Sequence, residues 1–176
     1  ESGSLKLSPG ASASRPLGSS SLTSATASTT FVAPARLPIF VGLQFRNEGA
    51  STGYRAKAVV SASGDLSVRI GRVAGGAETG LASGATGLKV VAGQEVHLEA
   101  ATVGQNPVLV YVKAWTKGTA KSWQLAYKDY SASRYTGAGK PALWAYLGAG
   151  AAGSANLSYR SASVADVYAP IRVGTD

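Results

Sequence analysis

Tyr111, Lys113 and Trp115 occupy alternate positions in the run Val108–Thr116, and Val108, Val110, Val112 and Ala114 fill the positions between them. Successive side chains of a β-strand point to opposite faces, so the rings and the lysine share one face and the small apolar residues the other. The run Ala142–Leu147 repeats the arrangement, with Leu143, Ala145 and Leu147 alternating with Trp144 and Tyr146. Flat rings beside charged donors suit a saccharide, because a pyranose shows an apolar C–H face and a polar rim, and ligand sites join apolar walls to a few placed polar groups. On this reading Tyr111, Trp115, Trp144 and Tyr146 form one stacking platform. Lys113, Arg55 and Lys57, with His97 and Glu99 close by, would bond hydroxyls or acidic substituents. The same rings could instead bury their bodies beneath a loop or a neighbouring domain and leave only their polar tips wet.

Other chemistries lack their residues. Cysteine and methionine are both absent, which removes disulfides, thiolate metal sites and cysteine nucleophiles. Glycoside hydrolysis needs two carboxylates roughly 5 to 10 Å apart. Here the nine acidic residues are scattered, and the one close pair, Glu95 and Glu99, would sit about 13 Å apart on one strand face given the strand rise. His97 is the single histidine, with no second ligand or carboxylate motif for a triad or a zinc site. Asp65, Asp129 and Asp166 could hold calcium at a sandwich rim, Asp129 being the best placed, but no loop concentrates acids as an EF-hand does. Gly75-Gly76 and Gly104-Gln105-Asn106 read as hairpin turns, since no helix follows them to cradle a phosphate. The expectation is a protein with no catalytic residues, no metal and no cofactor.

The elements that must position the rings are half-buried antiparallel strands. Short alternating runs end at turn residues: Tyr54–Val60 at Ser63-Gly64-Asp65, Leu66–Val73 at Gly75-Gly76, Val96–Thr102 at Gly104-Gln105-Asn106, and Val108–Thr116 at Lys117-Gly118. Ile39–Arg46 reads as a central strand with Val41, Leu43 and Phe45 on one face. Tyr54, Ala56, Ala58 and Val60 point inward and leave Arg55 and Lys57 facing away from the core. Leu66, Val68 and Ile70 are inward with Arg69 outward, and Val96, Leu98 and Ala100 are inward with His97 and Glu99 outward. The parity places Trp144 and Tyr146 on the outer face beside Tyr111 and Trp115. Trp123–Tyr130, Leu157–Arg160 and Val164–Val173 complete the set, the last with Pro170 as an edge strand tolerates. Leu5–Leu7 and Leu22–Val32 are weaker strands of a Ser/Ala/Thr-rich opening.

A chain of 176 residues suits one domain and buries a core without staples. The expected organisation is a single β-sandwich over residues 1–176, with 1–33 the weakly patterned part and 34–176 the main body. The formal net charge of +8 favours anionic partners. However, Arg55, Lys57, Arg69, Arg72 and Lys113 occur singly along strands, without the dense basic clusters or recognition helix of a nucleic-acid binder. No apolar run approaches the roughly 20 residues that span a bilayer, and the opening residues have no signal-peptide plan, as in a mature segment cut from a longer chain. Low charge content with 22 glycines and abundant Ala, Ser and Thr is the composition of secreted and surface proteins.

The series Tyr54-Arg55-Ala56-Lys57, Gly64, Arg72-Val73-Ala74-Gly75-Gly76-Ala77-Glu78-Thr79, Gly87-Leu88, Ala92-Gly93, Val112-Lys113-Ala114-Trp115, Gly118-Thr119, Trp123-Gln124 and Leu143-Trp144-Ala145-Tyr146-Leu147 resembles the laminin-G-like, concanavalin-A-like jelly-roll modules of actinobacterial surface proteins and of their phages' minor tail proteins. The resemblance runs from Phe40 to Asp166 and departs from the pattern at Tyr111 and Trp144, where a basic residue is expected. It implies an all-β fold of two packed antiparallel sheets, one of them concave, and a carbohydrate-binding or adhesive task. With the residue pattern, this predicts a noncatalytic module that binds a glycan or cell-surface polysaccharide, secreted, on the cell surface or on a virion, with no nucleic acid and no membrane insertion. The competing expectation is a stalk or tail module whose aromatic face packs on neighbouring subunits.

Overall fold

The computed structural model describes residues 1–48, 51–118 and 122–167. Its strands are β1 (Gly3–Leu7), β2 (Ser12–Pro16), β3 (Ala25–Val32), β4 (Ile39–Phe45), β5 (Thr52–Val60), β6 (Asp65–Ala74), β7 (Ala77–Lys89), β8 (Glu95–Val103), β9 (Val108–Trp115), β10 (Leu125–Asp129), β11 (Ala142–Leu147) and β12 (Ala155–Asp166). They form two six-stranded antiparallel sheets. Sheet A has the order β1-β12-β3-β8-β9-β10 and sheet B the order β2-β11-β4-β5-β6-β7.

Parity sets what lies between the sheets. Val41, Leu43 and Phe45 of β4, Tyr54, Ala56, Ala58 and Val60 of β5, and Leu66, Val68 and Ile70 of β6 meet Val96, Leu98 and Ala100 of β8 and Val108, Val110, Val112 and Ala114 of β9 in one core cluster. A one-residue slip in any of these strands would exchange that set for charged or aromatic side chains, so burial itself holds the register. The β6–β7 hairpin closes on Gly75 and Gly76, at φ of 57° and 81°. Two successive positive φ values define the turn whose twist matches paired strands.

A polar clamp crosses between the sheets at one end of the core. The Tyr54 hydroxyl, on sheet B, donates to Asp129 Oδ2 at 2.7 Å on sheet A. Arg72 adds an ion pair to the same oxygen at 3.2 Å, and the Ser131 amide donates to Asp129 Oδ1 at 2.9 Å. Arg46, also buried, donates to the Tyr135 carbonyl at 2.7 Å and to the Gly104 carbonyl. These bonds offset part of the desolvation that buried charge incurs, with the Arg46 Nε left without a partner among the described residues. The carboxylate expected to be the best rim ligand for calcium is thus occupied by Tyr54, Arg72 and Ser131.

Several boundaries differ from expectation. β2 and β7 were not foreseen: Ser12–Pro16 and Ala77–Lys89 are edge strands of sheet B with mostly exposed or half-buried residues, so no apolar alternation is demanded of them. The N-terminal runs become β1 and β3, pairing β12 and β8 respectively. Leu157–Arg160 and the start of Val164–Val173 form a single strand, β12, bent at an irregularity between Tyr159 and Ser161. Pro170 and the rest of that run lie outside the described residues.

Candidate functional site

The expected four-ring platform is divided between the two sheets. β9, carrying Tyr111 and Trp115, is in sheet A, whereas β11, carrying Trp144 and Tyr146, is in sheet B. All four rings point away from the core cluster, as parity requires. The outer faces of two stacked sheets look in opposite directions, so Trp144 and Tyr146 cannot lie beside Tyr111 and Trp115. The basic residues divide likewise: Arg55 and Lys57 accompany Trp144, and Lys113 accompanies Trp115.

On sheet B the register brings a row of side chains across four strands: Trp144 opposite Gly42, Gly42 opposite Lys57, and Lys57 opposite Arg69. The adjoining row is Gln44, Arg55 and Gly71. Gly42 leaves room at the centre. A Cβ there would stand 3.1 Å from the Cγ atoms of both Arg55 and Lys57 and 3.3 Å from Trp144 Cε3. The Arg55 guanidinium lies over the Trp144 ring, 3.8 Å from its centroid, within the range where a ring face attracts a cation. Tyr146 runs nearly parallel to Trp144, 6° between planes at 6.2 Å, and Phe40 meets Tyr146 edge-on at 5.5 Å.

Arg55 and Lys57 face away from the core, as strand parity requires, and their counter-ion comes from a strand that the sequence pattern does not mark. Glu78, on the edge strand β7, accepts from Arg55 Nη1 at 2.7 Å and from the Lys57 ammonium. The two cations are only 7% and 8% exposed although they sit on an outer face. Burial pulls both below their ordinary pKa values, Glu78 opposes that pull, and for Lys57 the neighbouring Arg55 and Arg69 add to it. The Arg55 Nε atom is buried without a hydrogen-bond partner. The one signal for Glu78 in the sequence is an isolated acid just past a Gly-Gly hairpin, and only the β6–β7 register shows where it reaches.

Two recesses flank this cluster. One, of about 500 Å³, is lined by Lys57, Arg69, Glu78, Gly80 and Ser83 among others. The second, of about 330 Å³, is bounded by Ser12, Ser14, Gln44, Arg55, Trp144 and Tyr146. Both volumes fall in the range of roughly 300–1,000 Å³ usual for ligand clefts. The walls offer rings, hydroxyls, an amide and fixed cations, a set able to hold a polar ring by packing and hydrogen bonding together.

The outer face of sheet A is a packed cluster. His97 stacks on Trp115 at 5.1 Å with 13° between planes, and its Nδ1 lies 2.9 Å from the Thr30 hydroxyl. Lys113 sits 4.5 Å from the centroid of Trp123 and pairs with Glu99 at 3.3 Å. Tyr111 packs on Trp123 at 5.7 Å. Tyr111 and Trp115 are buried, and neither Tyr111, Lys113 nor Trp115 lines either sheet B recess.

No family profile matches the sequence, and no curated protein is similar to it. Among solved structures, the chain is similar to the carbohydrate-binding module CBM66 from Bacillus subtilis, with a TM-score of 0.59 and 18% identity over 84% of this chain and 78% of that one. It is also similar to a toad ovary galectin in complex with thio-digalactose, with a TM-score of 0.51 and 12% identity over 88% of this chain and 98% of the galectin. A GH43 protein from Bacillus licheniformis matches at a TM-score of 0.52 and 11% identity over 82% of this chain but only 28% of its own length. At these identities the comparison establishes a shared fold: the chain is an all-β, two-sheet jelly-roll sandwich of the kind found in carbohydrate-binding modules and galectins.

Proposed function

We propose that the chain is a noncatalytic carbohydrate-binding module, displayed outside the cell or on a virion, whose site is the outer face of sheet B. The observation that carries this is the stack of the Arg55 guanidinium on Trp144 at 3.8 Å beside an open recess. A cation held over a ring, with Gln44 and two serines around the same recess, gives fixed donors and an apolar wall, and rigid donors lose little freedom on binding. Trp144 and Tyr146 wall the sugar, while Arg55 and Lys57 engage its rim. That a carbohydrate-binding module and a galectin solved with thio-digalactose share the fold supports the reading. Among the described residues Glu78 is the one carboxylate lining the two recesses, and its oxygens are bonded to Arg55 and Lys57, which supports the noncatalytic reading because glycoside hydrolysis uses two carboxylates. Affinity per site is modest and is raised by several copies on one surface.

A glycan array probed with the wild type and Trp144→Ala tests this. The variant loses a ring contact and the support of Arg55, and binding falls about tenfold or more. Equal binding by the variant would remove the sheet B assignment. If no glycan binds and the protein instead associates with rising concentration on size exclusion, the face is an assembly surface between subunits.

A further inference from the structure

Resting on the carbohydrate-binding reading, we propose that the sheet B site takes an anionic saccharide, with a sugar carboxylate seated against Arg55, Lys57 and Arg69. The charged residues lining the two recesses are these three cations against the single carboxylate of Glu78. Arg69 is exposed and stands opposite Lys57 in the β5–β6 register, and among the described residues Glu78 is the one anion paired with Lys57 and Arg55. Like charges held together on a half-desolvated face repel, and a ligand carboxylate relieves that repulsion as it binds. Arg55 adds a geometric reason. Its guanidinium is held over Trp144, 3.8 Å from the ring centroid, and a guanidinium matches the planar fork of a carboxylate. A neutral sugar would leave the excess positive charge where it is.

Glu78 has a defined part in this arrangement. It reaches the cations from the edge strand by lying over Gly71, whose missing side chain leaves the path open. Its carboxylate occupies, from within the protein, the type of position a ligand acid would take. Removing its charge therefore opens the cluster to an external anion.

The test is an array bearing uronate-containing and sialylated glycans beside neutral counterparts of the same linkage, followed by titration of the strongest ligand against tryptophan fluorescence. The expected result is that acidic members bind about tenfold or more tightly than their neutral counterparts. Their affinity drops steeply toward 1 M salt, where the screening length is about 3 Å. Glu78→Gln raises affinity for the acidic ligand severalfold. Because that variant could unfold through its unbalanced cations, Arg69→Gln serves as the second probe. Its side chain is exposed, so the fold persists, and affinity for the acidic ligand drops about tenfold, with Arg69→Lys restoring most of it. Neutral glycans binding as well as acidic ones would overturn this inference and leave the carbohydrate-binding reading standing. Unchanged acidic-glycan affinity in Arg69→Gln would overturn it as well, and an array with no bound glycan would remove both.

Discussion

Gly71 lies beneath the side chain of Glu78, so that a Cβ built on the glycine would stand 2.7 Å from Glu78 Cδ and 2.8 Å from its Cγ. The three atoms nearest that Cβ all belong to Glu78, and Gly71 has no positive φ, so alanine meets a side-chain conflict and no backbone one. Gly71→Ala is expected to push the carboxylate off Arg55 and Lys57 and to cost about 1–3 kcal/mol, the usual penalty for a buried polar group that loses its partner. Urea unfolding of Gly71→Ala, Glu78→Ala and the double variant measures it. The double variant should lose little more than either single one, because both changes remove the same contact. Fully additive losses would show that the two positions act separately.

Arg55→Lys keeps the charge and discards the plane. An ammonium cannot lie flat on Trp144 or present two parallel donors, so glycan affinity should fall about tenfold, measured by titration calorimetry. Full affinity in the lysine variant would mean that charge alone matters at this position.

The faces of the strands were legible because burial enforces them. Val108, Val110, Val112 and Ala114 can enter the core only together, and with them inside, Tyr111, Lys113 and Trp115 must turn outward. The partners of the strands were not legible. Alternation says which way a side chain points and nothing about which sheet the strand joins, and β11 returns to pair with β4 and β2 while β9 lies between β8 and β10. That is why Trp144 and Trp115, outward by the same rule, end on opposite sides of the molecule. The edge strand β7 was invisible for a related reason: Ala77–Lys89 is rich in Gly, Ala and Thr and largely exposed, so the acid it contributes to the site has no patterned context. Arg55 and Lys57 were expected to face away from the core and do, but the rings and the carboxylate that bury them come from strands distant in sequence.

The Tyr54–Asp129–Arg72 clamp makes stability depend on acid. Burial pushes the Asp129 carboxyl up, but its bonds from Ser131 and Tyr54 and the charge of Arg72 outweigh this and bring it below its ordinary value of 3.8. Between the lower folded value and the higher unfolded one, the unfolded chain holds more protons, so stability rises with pH across that window. The contribution is complete above the ordinary carboxylate pKa and lost as pH falls through the folded one. Asp129→Asn should therefore lower stability at neutral pH by about 1–3 kcal/mol and flatten the acid side of the profile. Urea midpoints taken across the acid range read both effects. An acid limb as steep as that of the wild type would assign the dependence to other carboxylates.

Trp115 and Trp144 give the sharpest contrast, because both face outward and, of the two, Trp144 is the one that lines a described sheet B recess. Trp115 is 9% exposed, stacked on His97 and within 5.6 Å of the Lys113 ammonium, so its ring serves the packing of sheet A. Trp115→Ala should cost about 2–4 kcal/mol in unfolding free energy, toward the range for removing a large buried ring, and leave the dissociation constant of a bound glycan unchanged below the unfolding transition. Trp144→Ala should do the reverse, losing affinity with a smaller loss of stability, since half-buried Trp144 contributes a face to Arg55 and a wall to the recess. Paired measurements of unfolding and of binding separate the two positions. A loss of affinity in Trp115→Ala equal to that in Trp144→Ala, in folded protein, would place the ligand on sheet A or couple the two outer faces through the core.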